Sequence, residues 1–217
     1  MDISIFDVIG NGISNKEISD VIIKKLYEKY QIEFVVKMIG DRYGTNTNDT
    51  VTTFCYPQNN KNLIFTAILN REQTNLEDDY MLRSVTFELE ESIKKEFEKN
   101  NIDVFAKIEI IGKNKLNEFL TVQEFIDKFD NFNFLAYIVS KNKISNEVLN
   151  DVYKNLENKY PKIYLKSLIY MLEEKGFCEC LEIAQVRPTI TETIIRNYSV
   201  IDEAIMKIVN KQIFRIK

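Results

Sequence analysis

Apolar positions recur along this chain with two periods, and the switches between them mark its elements. Ile18, Val21, Ile22 and Leu26 fall on one helical face. They follow Ser14-Asn15-Lys16-Glu17, where a hydroxyl and a carboxylate three residues apart satisfy each other's orphan amides. A helix over 14–30 is predicted, and Glu33 to Ile39 then reads as a strand. Val51 to Tyr56 and Leu63 to Leu69 read as strands joined across Pro57-Gln58-Asn59-Asn60-Lys61-Asn62, a run rich in turn formers. Asn75 is placed to cap a long helix whose first turn holds Glu77, Asp78 and Asp79, where the helix dipole favours negative charge. Leu82, Val85, Leu89, Ile93 and Phe97 form its stripe, and Lys94, Lys95 and Lys99 complement its far end. Ile102, Val104, Ala106, Ile108 and Ile110 alternate with Asp103, Phe105, Lys107 and Glu109, the pattern of a strand with one wet face.

Gly112 to Glu118 has the composition of a linker. Beyond it, Thr121 and Glu124 repeat the capping pattern ahead of Val122, Phe125, Ile126 and Phe129. Phe132 to Val139 is apolar on both parities, as a central strand requires. A helix over Asn146 to Tyr160 follows, with Val148, Leu149, Val152, Tyr153 and Leu156 inward. Ile163 to Leu172 reads as a strand paired with Phe177 to Val186 across Glu173-Glu174-Lys175-Gly176. Thr189 to Asn197 and Ser199 to Asn210 both carry helical spacing, and Ile213 to Lys217 reads as a short strand.

Ile13-Ser14-Asn15 and Ile144-Ser145-Asn146 open two similar stretches that end in Lys29-Tyr30 and Lys159-Tyr160. The expected fold is therefore α+β, with antiparallel sheets, helices packed on one face and two similar halves. The first half is placed at 1–112 and the second at 113–217.

Composition narrows the function more than it names one. Hydrophobic residues are 45% and charged residues 29% of the 217, with a formal net charge of −4 and a pI near 5.2. A nucleic-acid binder needs a basic face, so no nucleic-acid partner is expected. No apolar run reaches the roughly eighteen residues of a membrane span, and the N-terminal residues lack the charged and apolar regions of a signal peptide. Three cysteines, an odd number, do not make a secreted disulfide framework. A cytoplasmic location is expected.

The chain contains no histidine. That removes Ser-His-Asp and Cys-His catalysis, His-ligated zinc and the usual near-neutral general base. An enzyme would need carboxylates, Lys, Tyr, Cys or a carboxylate-bound metal. Cys178 and Cys180 would share a strand face and could chelate a soft metal, but a tetrahedral site needs more ligands than Cys55 adds. Free cysteines also serve as small buried hydrophobes. The acidic runs Glu77-Asp78-Asp79 and Glu88 with Glu90-Glu91 fit a solvated helix face. No metal and no cofactor is expected.

The most site-like local feature is Arg42-Tyr43 within Gly40-Asp41-Arg42-Tyr43-Gly44. Arg and Tyr dominate interface hot spots, and the flanking glycines free the backbone to present them. The same residues would also serve to cover the end of a sheet. Together with Lys29-Tyr30 and the Asp78-Asp79-Tyr80 helix start, the Gly-x-Arg-Tyr-Gly break resembles a small α+β domain. That domain belongs to lipoprotein and immunity-type proteins of low-GC Gram-positive bacteria. The resemblance spans about a third of the chain and implies no catalytic residues. The reading is a non-catalytic protein-binding module, an immunity or antitoxin-like inhibitor. Its partner would be a protein, basic or a toxin, met through Arg42, Tyr43, Asp41, Asp78 and Asp79. The alternatives are a cytosolic enzyme using carboxylates or a divalent metal, and a structural component of a mobile-element system.

Overall fold

The computed structural model describes residues 14–40, 49–112, 115–129, 132–198 and 201–209, of which 198 and 201–203 are described in backbone only. The chain divides into two compact units. The first comprises Met1–Tyr80 with Val186–Pro188, and the second Met81–Gln185 with Thr189–Lys217.

In the first unit, helix α1 (Asn15–Tyr30) precedes a four-stranded antiparallel meander, β1 (Phe34–Ile39), β2 (Thr50–Pro57), β3 (Phe65–Asn70) and β4 (Leu76–Asp78), in that order across the sheet. The predicted capping box is present. Ser14 Oγ accepts from Glu17 N–H at 3.2 Å, and Glu17 Oε2 accepts from Ser14 N–H at 2.7 Å. Ile18, Ile22 and Leu26 are buried at i, i+4 and i+8, and Gln31 stops the helix in the left-handed region at φ 58°. Along β2, Val51, Thr53 and Cys55 point inward towards the buried Phe65, Ala67 and Leu69 of β3. Thr53 is the polar member of that core, and its hydroxyl donates to Ala67 O at 2.9 Å, which removes the cost of burying it.

The segment after Asn75 departs from expectation. Leu76–Asp78 is strand β4, and the helix starts only at Tyr80. Strand pairing with Ala67, Ile68 and Leu69 satisfies backbone groups that a helical turn would have left orphaned. Asn75 is accordingly held by the Asn70 side chain, whose Oδ1 accepts its N–H at 2.8 Å.

Helix α2 (Tyr80–Glu98) leads into the second unit. Its sheet has the order β5 (Val104–Ile111), β6 (Asn133–Ser140), β7 (Leu165–Leu172), β8 (Ile201–Val209). Three further helices lie between these strands in sequence, α3 (Val122–Lys128), α4 (Asn146–Lys159) and α5 (Glu174–Ala184), and α6 (Glu192–Tyr198) precedes β8. β5–β6 and β7–β8 are antiparallel, while β6–β7 is parallel, with α4 as the crossover. Val85, Leu89, Ile93 and Phe97 of α2 are fully buried and share a core with Val104, Ala106 and Ile108, Phe134, Ala136 and Ile138, and the inward faces of α3 and α4. On the other face, Phe177, Cys180, Ala184, Ile190 and Ile195 of the α5–α6 segment pack on Phe105, Val139, Tyr170 and Leu172.

The class is α+β, with one four-stranded sheet in each unit, as two similar halves would give. Both halves also contain a helix running directly into a strand, α1–β1 and α4–β7. They differ in that β1 is an edge strand of a meander, whereas β7 is central and parallel to β6. The division falls at Tyr80 and not at 112, because α2 buries its stripe against β5 and β6.

Two elements read from the sequence are corrected. Residues 177–186 are not a strand paired with β7: Glu174–Ala184 is a helix with Phe177, Cys180 and Ala184 on its buried side. Within the stretch read as a helix over 199–210, Ile201–Val209 is a strand, paired with β7. The short strand read at 213–217 lies outside the described residues.

Candidate functional site

The densest polar cluster of the first unit is built on Asp78. Its side chain is wholly enclosed. Oδ1 accepts from Tyr30 Oη at 2.5 Å and from Tyr80 N–H at 3.2 Å, and Oδ2 takes Lys29 Nζ at 2.7 Å. The Tyr80 ring lies 5.0 Å from that of Tyr30, 5.1 Å from Phe34 and 4.9 Å from Phe65. Burial raises the Tyr30 phenol above its ordinary range, and the Asp78 carboxylate adds to the rise. The neighbouring Asp79 Oδ1 accepts from Thr66 N–H at 2.6 Å. Both acids were expected at a binding surface. Here they tie the end of α1 and the edge of β3 to the entry of α2.

A second cluster lies in the second unit. Arg83, Thr86 and Glu90 occupy one buried side of α2. Arg83 donates to Thr86 Oγ1 at 2.5 Å and to Glu90 Oε2 at 2.7 Å, while Glu90 Oε1 accepts from Ile108 N–H at 2.7 Å. Glu90 thus has a partner on each oxygen. Nearby, Ser92 Oγ and Tyr160 Oη lie 3.0 Å apart, and Lys159 Nζ donates to Ser92 Oγ at 2.9 Å. Glu90, like Asp78, is engaged by the fold.

The face of the second sheet opposite α2 and α4 is covered in steps. The row Phe105–Val139–Tyr170 lies under α5 and α6. The next row sets Tyr137 beside Leu168 and Leu168 beside Met206, with the first two half-buried and Met206 58% exposed. In the last row Glu109 faces Leu135, Leu135 faces Lys166, and Lys166 faces Ile208, which is 40% exposed. Burial raises the Glu109 carboxyl and, with Glu109 and Glu192 nearby, the Tyr137 phenol; burial beside Glu192 pushes Tyr170 up to about 12. The outcome is an apolar strip with an aromatic centre, with Lys107 beside Tyr137 and Glu109 and Lys166 in the next row. Sequence reasoning missed it because the strip exists only once the β6–β7–β8 register is known.

Cys178 is exposed and Cys180 buried. On a helix, residues i and i+2 diverge by about 200°, so the two thiols do not share a face. Among the described residues, no three His, Cys, Asp or Glu side chains converge where they could hold an ion, and no helix is long and apolar enough to cross a membrane. Asp41, Arg42 and Tyr43 lie outside the described residues.

No family model matches the sequence. Among curated proteins, the chain is 27% identical over 139 residues to the small ribosomal subunit biogenesis GTPase RsgA of Phytoplasma mali (strain AT), a match spanning 64% of this chain and 39% of that protein. The chain thus spans well under half the length of this curated relative. Among solved structures, a DUF5037 family protein from Ruminococcus gnavus superposes with a TM-score of 0.68 at 16% identity, covering 88% of this chain and 91% of that one. That likeness is one of fold.

Proposed function

We propose that this chain is a non-catalytic protein-binding module, an inhibitor of the immunity or antitoxin kind, and that it engages its partner through the half-covered face of the second sheet. The observation that carries the reading is the strip of Leu135, Tyr137, Leu168, Met206 and Ile208, in which Met206 and Ile208 are exposed and the other three half-buried, beside rows that α5 and α6 cover. A half-buried tyrosine among aliphatic side chains, with Lys107, Glu109 and Lys166 beside them, has the make-up of an interface centre. The enclosed acids Asp78 and Glu90 favour the same reading, since each is engaged by hydrogen bonds that hold the fold. Arg42 and Tyr43 stay in the proposal as contacts of the residue types that dominate hot spots. A cytoplasmic location belongs to the same proposal, and three free cysteines suit a reducing compartment.

The test is affinity capture with the tagged full chain from its native host, followed by titration of the recovered protein against Tyr137→Ala and Lys166→Glu. Both substitutions should weaken binding, the first by about thirtyfold or more. Unchanged affinity in both would remove this face from the interface. Saturable binding of a small molecule with no recovered protein would contradict the reading.

The match to a ribosome biogenesis GTPase favours a second reading, a binding role at the small ribosomal subunit. The sequence has no G-x-x-x-x-G-K-S/T phosphate loop, so GTP hydrolysis is not part of it. Co-sedimentation with small subunits at moderate salt tests it, and a net charge of −4 opposes direct contact with RNA.

A further inference from the structure

The fold separates the methionines of this chain by access to water. Met171 in β7 is 2% exposed, and its Sδ accepts the Ile144 N–H at 3.4 Å. Met38 in β1 and Met81 in α2 are half-buried. Met206 in β8 is 58% exposed, the highest value among the large hydrophobic side chains described. It faces Leu168 across the strand pair and shares its side of β8 with Ala204 and Ile208. Ile205 and Val209, of the opposite parity, pack into the core and hold the strand in place. A solvent-facing thioether thus stands within an apolar patch, on a strand anchored by other residues.

We propose that Met206 is an oxidation site, and that its reversible conversion to the sulfoxide switches the strip from an apolar to a polar surface. The oxidant is a hydroperoxide, hydrogen peroxide being the simplest. The Sδ lone pair attacks one peroxide oxygen and the O–O bond breaks. The departing hydroxide takes the proton of the transferred oxygen and leaves as water. Sulfur is oxidised by two electrons and the peroxide is reduced by two. The sulfoxide oxygen is a strong acceptor, and Leu168, Ala204 and Ile208 beside it carry no side-chain donor. It therefore keeps water that an apolar surface docking there would have to remove. Methionine sulfoxide reductases reverse the change, which makes it a switch and not a lesion. Control of partner binding by this route rests on the partner-binding reading. The oxidation site itself does not, and it is tested with no partner present.

The experiment treats the full chain with hydrogen peroxide and maps the sulfoxides by mass spectrometry of its peptides. The dye 8-anilinonaphthalene-1-sulfonate, which binds exposed apolar surface, is titrated before and after oxidation, with far-UV circular dichroism to confirm folding. Met206 should oxidise before Met38 and Met81, and Met171 after all three. Oxidation should weaken dye binding by about fivefold, and a methionine sulfoxide reductase should restore it. Met206→Gln should match the oxidised wild type without peroxide. In Met206→Leu, peroxide should leave the dye affinity where it started. Met206 oxidising no faster than Met171, a wild-type dye affinity indifferent to oxidation, or an equal loss in Met206→Leu would each overturn the proposal.

Discussion

Glu90 of α2 accepts the backbone N–H of Ile108 in β5 at 2.7 Å, inside the second unit. The same carboxylate holds Arg83 at 2.7 Å, so one side chain fixes the long helix to the sheet and occupies the strand edge. This contact helps explain why α2 belongs with the sheet that follows it and not with the hairpin before it.

Glu90→Ala should be among the most damaging single changes in the second unit. It leaves a buried guanidinium without its anion and a buried N–H without an acceptor, a loss of about 3–5 kcal/mol. Glu90→Gln keeps an oxygen for Ile108 and should cost less than Glu90→Ala. Urea denaturation measures both, and a loss under about 1 kcal/mol for Glu90→Ala would mean that the pair is not enclosed.

Thiol chemistry should separate the three cysteines. Cys178 is exposed, Cys55 and Cys180 are buried, and burial pushes the Cys55 thiol up to about 12. The thiolate is the reactive form. In the native protein a thiol reagent at neutral pH should label Cys178 first, with Cys55 and Cys180 reacting only on unfolding. Mass spectrometry of the labelled peptides reads the order, and equal native rates would contradict the α5 helix.

Stability should fall on the alkaline side. Cys55 is raised from 9.0 to about 12 and Tyr170 from 10.0 to about 12, and Tyr30 is raised further still. In each case the folded chain favours the neutral, protonated group, so above pH 9 the unfolded chain holds fewer protons. The contribution is therefore fully present below pH 9 and is lost as pH rises towards 12. Glu17, Glu124 and Asp127 are lowered by their hydrogen bonds, chiefly those to Ser14, Thr121 and Gln123. Their contribution has the opposite sign and is lost as the medium turns acid. With no histidine, denaturation midpoints should be nearly flat between about pH 6 and 8. Tyr170→Phe should reduce the alkaline slope. A steep change near pH 7 would contradict this assignment.

The capping boxes at Ser14–Glu17 and Thr121–Glu124, and the stripe Val85–Leu89–Ile93–Phe97, were legible because each is written within a few turns of chain. The segment 177–186 misled because Phe177, Glu179, Leu181 and Ile183 nearly alternate with their neighbours. Its helix is settled by the apolar row of Phe105, Val139 and Tyr170 that it covers. β8 misled for the complementary reason, since its strand state depends on pairing with a distant β7. The Asp78 cluster joins residues 48 and 49 apart, and no local pattern announces it. The strip of Tyr137, Leu168 and Met206 is longer in range still, being a product of register across three strands.

The measurement closest to the central claim is the affinity of the captured partner for wild type and Tyr137→Ala, by calorimetric titration with folding confirmed. A protein-binding module using this face should lose about 2 kcal/mol or more of binding free energy on that truncation. An unchanged dissociation constant for Tyr137→Ala and Lys166→Glu would contradict the claim.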